Sequence, residues 1–251
     1  MPVRRLPLSH YVDLLERRVP FTYLSYGDGE FHAMSGLHNG QKFTQYEEVV
    51  TPEIAAEMRA SLDVSGDDII RGTDEFIVEP ETYGGNDKPV IFEANRVARM
   101  SVGERKIDWV DGTVWDEAVK NGELGPFLRV LRERKGRQFV GCIKCWVPWG
   151  SVFCTTPDVN AVGSLDDIER WCLRSQFIDI FPEPVFVLCM GLGALPLALR
   201  IRGKIPGATV IDLGSALDVF AGLGADRGWR KELYADPAKH QELIRKNLEG
   251  V

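Results

Sequence analysis

The chain holds 251 residues, 44% hydrophobic and 27% charged, which excludes collagen-like, coiled-coil and disordered architectures. Its 37 acidic and 30 basic side chains leave a net charge of −7, arguing against wholesale coating of a polyanion while leaving room for a local basic patch. No run approaches the roughly 20 apolar residues of a membrane span, the opening MPVRRLPLSHYVDLLERR lacks the apolar core of a signal peptide, and five cysteines make a sparse, odd set, so a reducing cytoplasm is the expected setting.

In chain order, Tyr11, Leu14, Leu15 and Arg18 fall at helical spacing behind Ser9, a candidate N-cap, giving an expected helix over 9–18. Residues 21–26 read as a short buried strand stopped by Gly27-Asp28-Gly29. Thr51 as cap and Pro52 in the first turn open a second helix through Ile54, Met58 and Leu62. Residues 68–71 read as another strand, and the Gly/Asp-rich stretch 81–89 as a long loop. Phe127, Leu128 and Leu131 share one helix face, with a strand expected over 138–143. Ser164-Leu-Asp-Asp167 has the form of a capping box opening a helix through Ile168, Trp171 and Cys172.

The last third is the clearest. Residues 184–190 form a continuous apolar strand, followed by Gly191-Leu-Gly193, a helix over 195–200, and a strand over 207–212 closing on Leu213-Gly214-Ser215. Strand, glycine turn, helix and strand within about 30 residues make a βαβ unit with parallel strands. Near-continuous apolar strands fit a sheet covered on both faces. The expected architecture is a single α/β domain over 1–251: an open, mostly parallel, Rossmann-like sheet with helices on both faces.

Asp28 and Glu30 are two carboxylates two residues apart at the end of an apolar strand, and they project to one side if the backbone stays extended. Oxygen ligands grouped this way suit Mg²⁺ or Mn²⁺, which complete their shell with substrate phosphates. The plainer alternative is an Asp-Gly turn followed by a solvated glutamate. His32 continues the series as a polar neighbour. Gly191 and Gly193 would let backbone N–H groups approach a phosphate at a helix start, although Pro196 stands where a dinucleotide motif has its third glycine. A tight packing turn explains the same glycines. Asp212 and Asp218 could hold a sugar hydroxyl or accept a proton, or could simply cap helices. Cys142-Ile-Lys-Cys145 lacks a second pair at zinc spacing.

Tyr26-Gly-Asp-Gly-Glu-Phe31, followed by Phe43-Thr-Gln-Tyr46, resembles the opening of the GT-D-fold glycosyltransferases. Residues 187–193 and 210–214 are similar to that family's later strand, glycine turn and Asp-x-Gly. Ser25 and Ser215 replace the arginine and histidine found there. The resemblance implies sugar transfer from a nucleotide sugar, a UDP-sugar above all. Asp28 and Glu30 would then lie at a divalent Mn²⁺ or Mg²⁺, with Tyr26, Gly27, Gly29, Gly191, Gly193, Asp212 and Gly214 around the donor.

An acceptor hydroxyl needs a base if configuration inverts, and Asp74, Glu75 and Asp218 are candidates. The acceptor is either a glycan or glycoprotein, or a hydroxymethylated base in phage-type DNA. For DNA stand five cations against one acid in residues 129–137, with Arg132, Arg134 and Arg137, and the aromatic platforms Trp146 and Trp149. An S-adenosylmethionine-dependent methyltransferase and a non-catalytic nucleotide-binding α/β protein are the alternative expectations. The sequence leaves the oligomeric state open.

Overall fold

The computed structural model describes residues 3–37, 42–43, 48–84, 88–142, 152–157, 160–181, 183–224 and 228–251. Its strands are β1 (Thr22–Tyr26), β2 (Lys42–Phe43), β3 (Glu48–Val49), β4 (Ile69–Thr73), β5 (Trp109–Asp111), β6 (Arg137–Cys142), β7 (Val152–Thr156), β8 (Val185–Cys189) and β9 (Thr209–Asp212). Helices α1 (Leu8–Glu16), α2 (Asp28–Ser35), α3 (Pro52–Ala60), α4 (Glu75–Val78), α5 (Lys88–Val102) and α6 (Val114–Asn121) belong to the first half. Those of the second are α7 (Gly125–Glu133), α8 (Leu165–Cys172), α9 (Ser175–Ile180), α10 (Ala194–Lys204), α11 (Trp229–Tyr234) and α12 (Pro237–Asn247).

Seven strands form one sheet in the order β5-β4-β1-β9-β8-β6-β7, every neighbouring pair parallel. The short β2 and β3 pair separately as an antiparallel hairpin. Successive side chains feed opposite cores: Leu24, Tyr26, Phe186, Leu188 and Val210 face one layer, with Met34, Met58, Val97 and Leu197. Tyr23, Val185, Val187 and Ile211 face the other, with Tyr11, Trp115, Phe127 and Leu217. Two covered faces are why these strands read as unbroken apolar runs rather than alternating ones. Among the described residues, no helix is long and apolar enough to cross a membrane.

Two expected caps do not form. The first helix starts at Leu8, and its N-cap, Pro7, makes no side-chain cap bond, so Ser9 lies inside the first turn. Ser164 likewise makes no cap bond: a 3-10 turn over Ala161–Ser164 delivers the backbone into α8, and Asp167 pairs with Arg170 at 2.8 Å. Thr51 caps α3 as expected, accepting from Ile54 N.

Candidate functional site

β1 and β9 lie side by side, yet they send their connections to opposite faces. β1 runs into α2, whose Phe31 and Met34 pack on one core, and β9 runs into a 3-10 segment, Ala216–Ala221, whose Leu217 and Val219 pack on the other. This is the switch point of an open parallel sheet, where ligands bind beyond the carboxyl ends of the strands. The sequence places Gly27-Asp28-Gly29-Glu30 and Asp212-Leu213-Gly214 at this crevice. The turn after β8, Gly191–Gly193, joins them: a Cβ built on Gly29 would lie 3.4 Å from Leu192.

The local geometry of the two acids departs from the extended expectation. Gly27 is the N-cap of α2 with extended backbone (φ −99°, ψ −172°), and Asp28 and Glu30 occupy the first helical turn. They leave the helix about 200° apart around its axis, at 100° per residue, instead of sharing one face of a strand. Two acids at the positive end of a helix favour that start. Glu30 folds back so that Oε2 accepts from Gly27 N at 2.8 Å, and Asp28 Oδ1 accepts from Gly29 N at 2.9 Å. Gly191 has φ +59° and Gly214 φ +55°, backbone regions that favour glycine. A Cβ on Gly214 would meet nothing within 4 Å, so open space lies over the turn after β9.

Asp212 is buried, 4% exposed. Its Oδ1 accepts from Gly214 N at 2.9 Å. Burial, with a smaller push from the Glu30 carboxylate, lifts it to about 8. Tyr26 lends the crevice only its backbone, because its ring stacks on Phe31 in the core and its hydroxyl pairs with Ser61 Oγ at 2.7 Å. Asp218 is buried behind the crevice, 3.8 Å from the guanidinium of Arg230, which also donates to Asp116 at 2.6 Å and to the Ser215 carbonyl.

Four adjacent strands each end in an aspartate: Asp111 on β5, Asp74 just past β4, Asp28 two residues past β1, and Asp212 on β9. Asp74 caps α4, accepting from Phe76 N at 2.8 Å. Burial raises its pKa against that hydrogen bond, and the Asp111, Glu75 and Asp28 carboxylates add to the rise. Arg5 is a cation at this rim, 2.9 Å from Glu75 and 3.9 Å from Asp111. Beside Asp28, a cleft of about 320 Å³ opens between α2 and α5, lined by Asp28, His32, Pro89, Val90, Glu93 and Ala94. Sequence reasoning passed over Asp111 and Glu93; the repeated apolar-strand-then-Asp pattern was the available signal for Asp111.

The basic cluster is elsewhere. Arg137 opens β6, paired with Val185 at the start of β8, so it lies at the amino edge of the sheet, opposite the carboxyl rim. Arg134 donates to the Leu15 and Glu183 carbonyls and Arg137 to the Arg134 carbonyl. Arg132 is exposed in the last turn of α7. The structure therefore does not bring these three arginines to the acids. Trp146, Trp149, Cys145 and residues 44–46 lie outside the described residues.

No family model matches the chain, and no curated protein matches it. Solved structures do. One, of domain of unknown function 1792, superposes with a TM-score of 0.66 at 14% identity, covering 93% of this chain and 82% of that one. A second, of the same domain and described as having a distinct glycosyltransferase fold, gives 0.59 at 15% identity over 93% and 82%. A third, described as a new glycosyltransferase from Streptococcus sanguinis, gives 0.61 at 14% identity over 93% and 85%. At such identity the likeness is one of fold: this chain is an α/β protein with the fold of those glycosyltransferase structures.

Proposed function

We propose that the protein is a glycosyltransferase binding a nucleotide-sugar donor in the crevice over β1, β9 and β8. The observation that carries this reading is the convergence of Gly27–Glu30, Gly191–Gly193 and Asp212–Gly214 at the switch point of a glycosyltransferase-type sheet. The first turn of α2 sends Asp28 and Glu30 to different faces, and Glu30 folds back onto Gly27 N. A hard divalent cation, Mg²⁺ or Mn²⁺, would therefore be held here by Asp28 with phosphate oxygens and waters in its shell, as such ions take as few as one protein carboxylate. Among the described residues no group of three or more His, Cys, Asp or Glu is arranged to hold a metal, so substrate would supply the rest. When bound, such an ion neutralises the charge of a departing diphosphate.

The chain's own residues do the remainder. N–H groups at the Gly191–Gly193 turn and the start of α10 would face the diphosphate, Asp28 would hold the cation beside it, and Glu30 fixes the start of α2 through Gly27 N. In an inverting displacement the acceptor oxygen bonds the anomeric carbon. The bond to the diphosphate oxygen breaks, and its electron pair leaves with the nucleotide. Asp74 takes the acceptor proton: it stands on the rim next to β1, and a carboxylate of raised pKa is the better base near neutrality. Glu75 and Asp218, the other carboxyls considered for this step, face Arg5 and Arg230 respectively.

The acidic rim and the remote arginines favour a neutral hydroxyl acceptor, as on a glycan, over DNA. Thermal-shift titration with UDP-glucose and UDP-galactose, with and without Mn²⁺, tests the reading. Metal-dependent stabilisation by a UDP-sugar supports it; stabilisation by S-adenosylmethionine alone would replace it with a methyltransferase.

A further inference from the structure

The segment after β9 is held by side chains from the C-terminal helices. Ser215, Val219 and Leu223 lie four residues apart along it, and each gives its carbonyl to a different side chain. Arg230 donates to the Ser215 carbonyl at 3.0 Å, His240 Nε2 to that of Val219 at 2.8 Å, and the Tyr234 hydroxyl to that of Leu223 at 2.7 Å. Two of these carbonyls also close the segment's own turns: Ser215 takes Asp218 N at 3.0 Å, and Val219 takes Gly222 N at 3.2 Å. A carbonyl has two lone pairs, so the side-chain donor adds to the turn instead of competing with it.

The Arg230 bond differs from the other two. Arg230 is 1% exposed, and the nitrogen that reaches Ser215 also donates to Asp116 Oδ1 on α6 at 2.6 Å. Trp229 Nε1 donates to Oδ2 of the same carboxylate at 2.8 Å, so neighbouring side chains of α11 occupy both its oxygens. A buried guanidinium is costly unless paired and hydrogen-bonded, and its planar fork sets the angle between its partners, which an ammonium does not. Ser215 directly follows Gly214, whose turn has open space above it.

We infer that Arg230 is a positioning residue for the donor: fixed by Asp116, it holds the Ser215 carbonyl and with it the Asp212–Gly214 turn that borders the crevice. The inference rests on reading that crevice as a donor site. Tyr234 makes the same kind of bond at the far end of the segment, so it separates holding the fold from holding the crevice.

Four variants test it: Arg230→Met, Arg230→Lys, Asp116→Ala and Tyr234→Phe. The readouts are amide exchange and donor KM against kcat, followed as UDP release from UDP-glucose and UDP-galactose with Mn²⁺. Ala216 N and Asp218 N, which bond the Leu213 and Ser215 carbonyls at 3.0 Å, report the turn; Val210 N, bonded to the Phe21 carbonyl, is the reference within the sheet. In Arg230→Met, exchange at Ala216 and Asp218 should quicken about tenfold or more with Val210 unchanged. Donor KM should rise about tenfold with kcat within about threefold, as for a displaced binding turn. Arg230→Lys keeps the charge without the fork, so its KM should be intermediate. Tyr234→Phe should lower the melting temperature and leave donor KM within about twofold. If Arg230→Met does not fold, Asp116→Ala carries the test: its side chain is 43% exposed, and Asp218, 3.8 Å from the guanidinium, still offsets the charge.

Wild-type exchange at Ala216 and Asp218 in the folded variants overturns the inference. Quickened exchange with unchanged donor KM does so too, leaving Arg230 a residue of stability alone, as does an equal rise in KM in Tyr234→Phe. A kcat loss of about a hundredfold at constant KM also overturns it, by placing the guanidinium in the chemistry. Should the wild-type protein release UDP from neither sugar, the glycosyltransferase reading fails separately, and the exchange arm still decides whether Arg230 holds the turn.

Discussion

Three carboxyls of the crevice, Asp28, Glu30 and Asp212, differ in environment, and each difference has a measurable consequence. Asp28→Asn and Glu30→Gln should abolish transfer while shifting stability by no more than about 1 kcal/mol, since an amide oxygen still accepts from Gly29 N or Gly27 N. Activity at the wild-type level in either variant contradicts the donor site. Asp212 differs because its proton is retained: it titrates at about 8 when folded against 3.8 unperturbed. Between those values the folded state holds a proton that the unfolded chain has released, so stability falls as pH rises through that window. The slope from one such group is at most about 1.4 kcal/mol per pH unit. Denaturant melts in chelator from about pH 5 to 7.5 should show this slope flattened in Asp212→Asn; an unchanged slope rejects burial of this acid as its source. The identity of these residues was legible in the sequence as acids following apolar strands. Their orientations were not. Tyr26 belongs to the same motif, yet its ring is in the core because strand alternation, which a motif does not encode, turns it there.

Among the elements, the buried strands read most clearly: β1, β4, β6, β8 and β9 were each expected within two residues of their ends. β5 was missed, having only three residues. The start of α2 was misjudged because glycines flanking an aspartate read as a turn, whereas Gly27 serves as an N-cap and the acids favour the helix start. Strand order could not be read at all, since it depends on pairing between distant segments. One consequence of that order is testable. Gly72 on β4 sits beside Ser25 of β1, and a Cβ there would lie 1.9 Å from the Tyr23 hydroxyl and 2.5 Å from its ring. That ring is locked among Tyr11 and Trp115, at centroid distances of 5.5 and 5.4 Å. Gly72→Ala should therefore destabilise by about 1–3 kcal/mol or more, measured by denaturant melting; a neutral effect contradicts the packing. Gly193→Val meets the flexible end of Met190 at 2.7 Å, so it should weaken donor binding more than it lowers stability. The opposite order favours a purely structural turn.

Across the whole molecule, the acids of the crevice and the arginine cluster lie at opposite edges of the sheet. Carboxyl groups stand along the carboxyl edge from Asp111 to Asp212, while Arg134 and Arg137 tie backbone carbonyls at the amino edge. Replacing Arg132, Arg134 and Arg137 with Gln should leave transfer kinetics within about threefold and cost some stability through Arg134 and Arg137, whose guanidinium groups satisfy carbonyls. The sequence showed the basic cluster but not its remoteness, which follows from β6 starting where β1 and β9 also start. Calorimetric titration of UDP with Mn²⁺ against the wild type, Asp28→Asn, Gly193→Val and the triple arginine variant locates the donor site most directly. Binding lost in the first two variants and retained in the triple variant is the result expected of the crevice over β1 and β9. Binding retained in Asp28→Asn and Gly193→Val, and lost with the arginines, would contradict it.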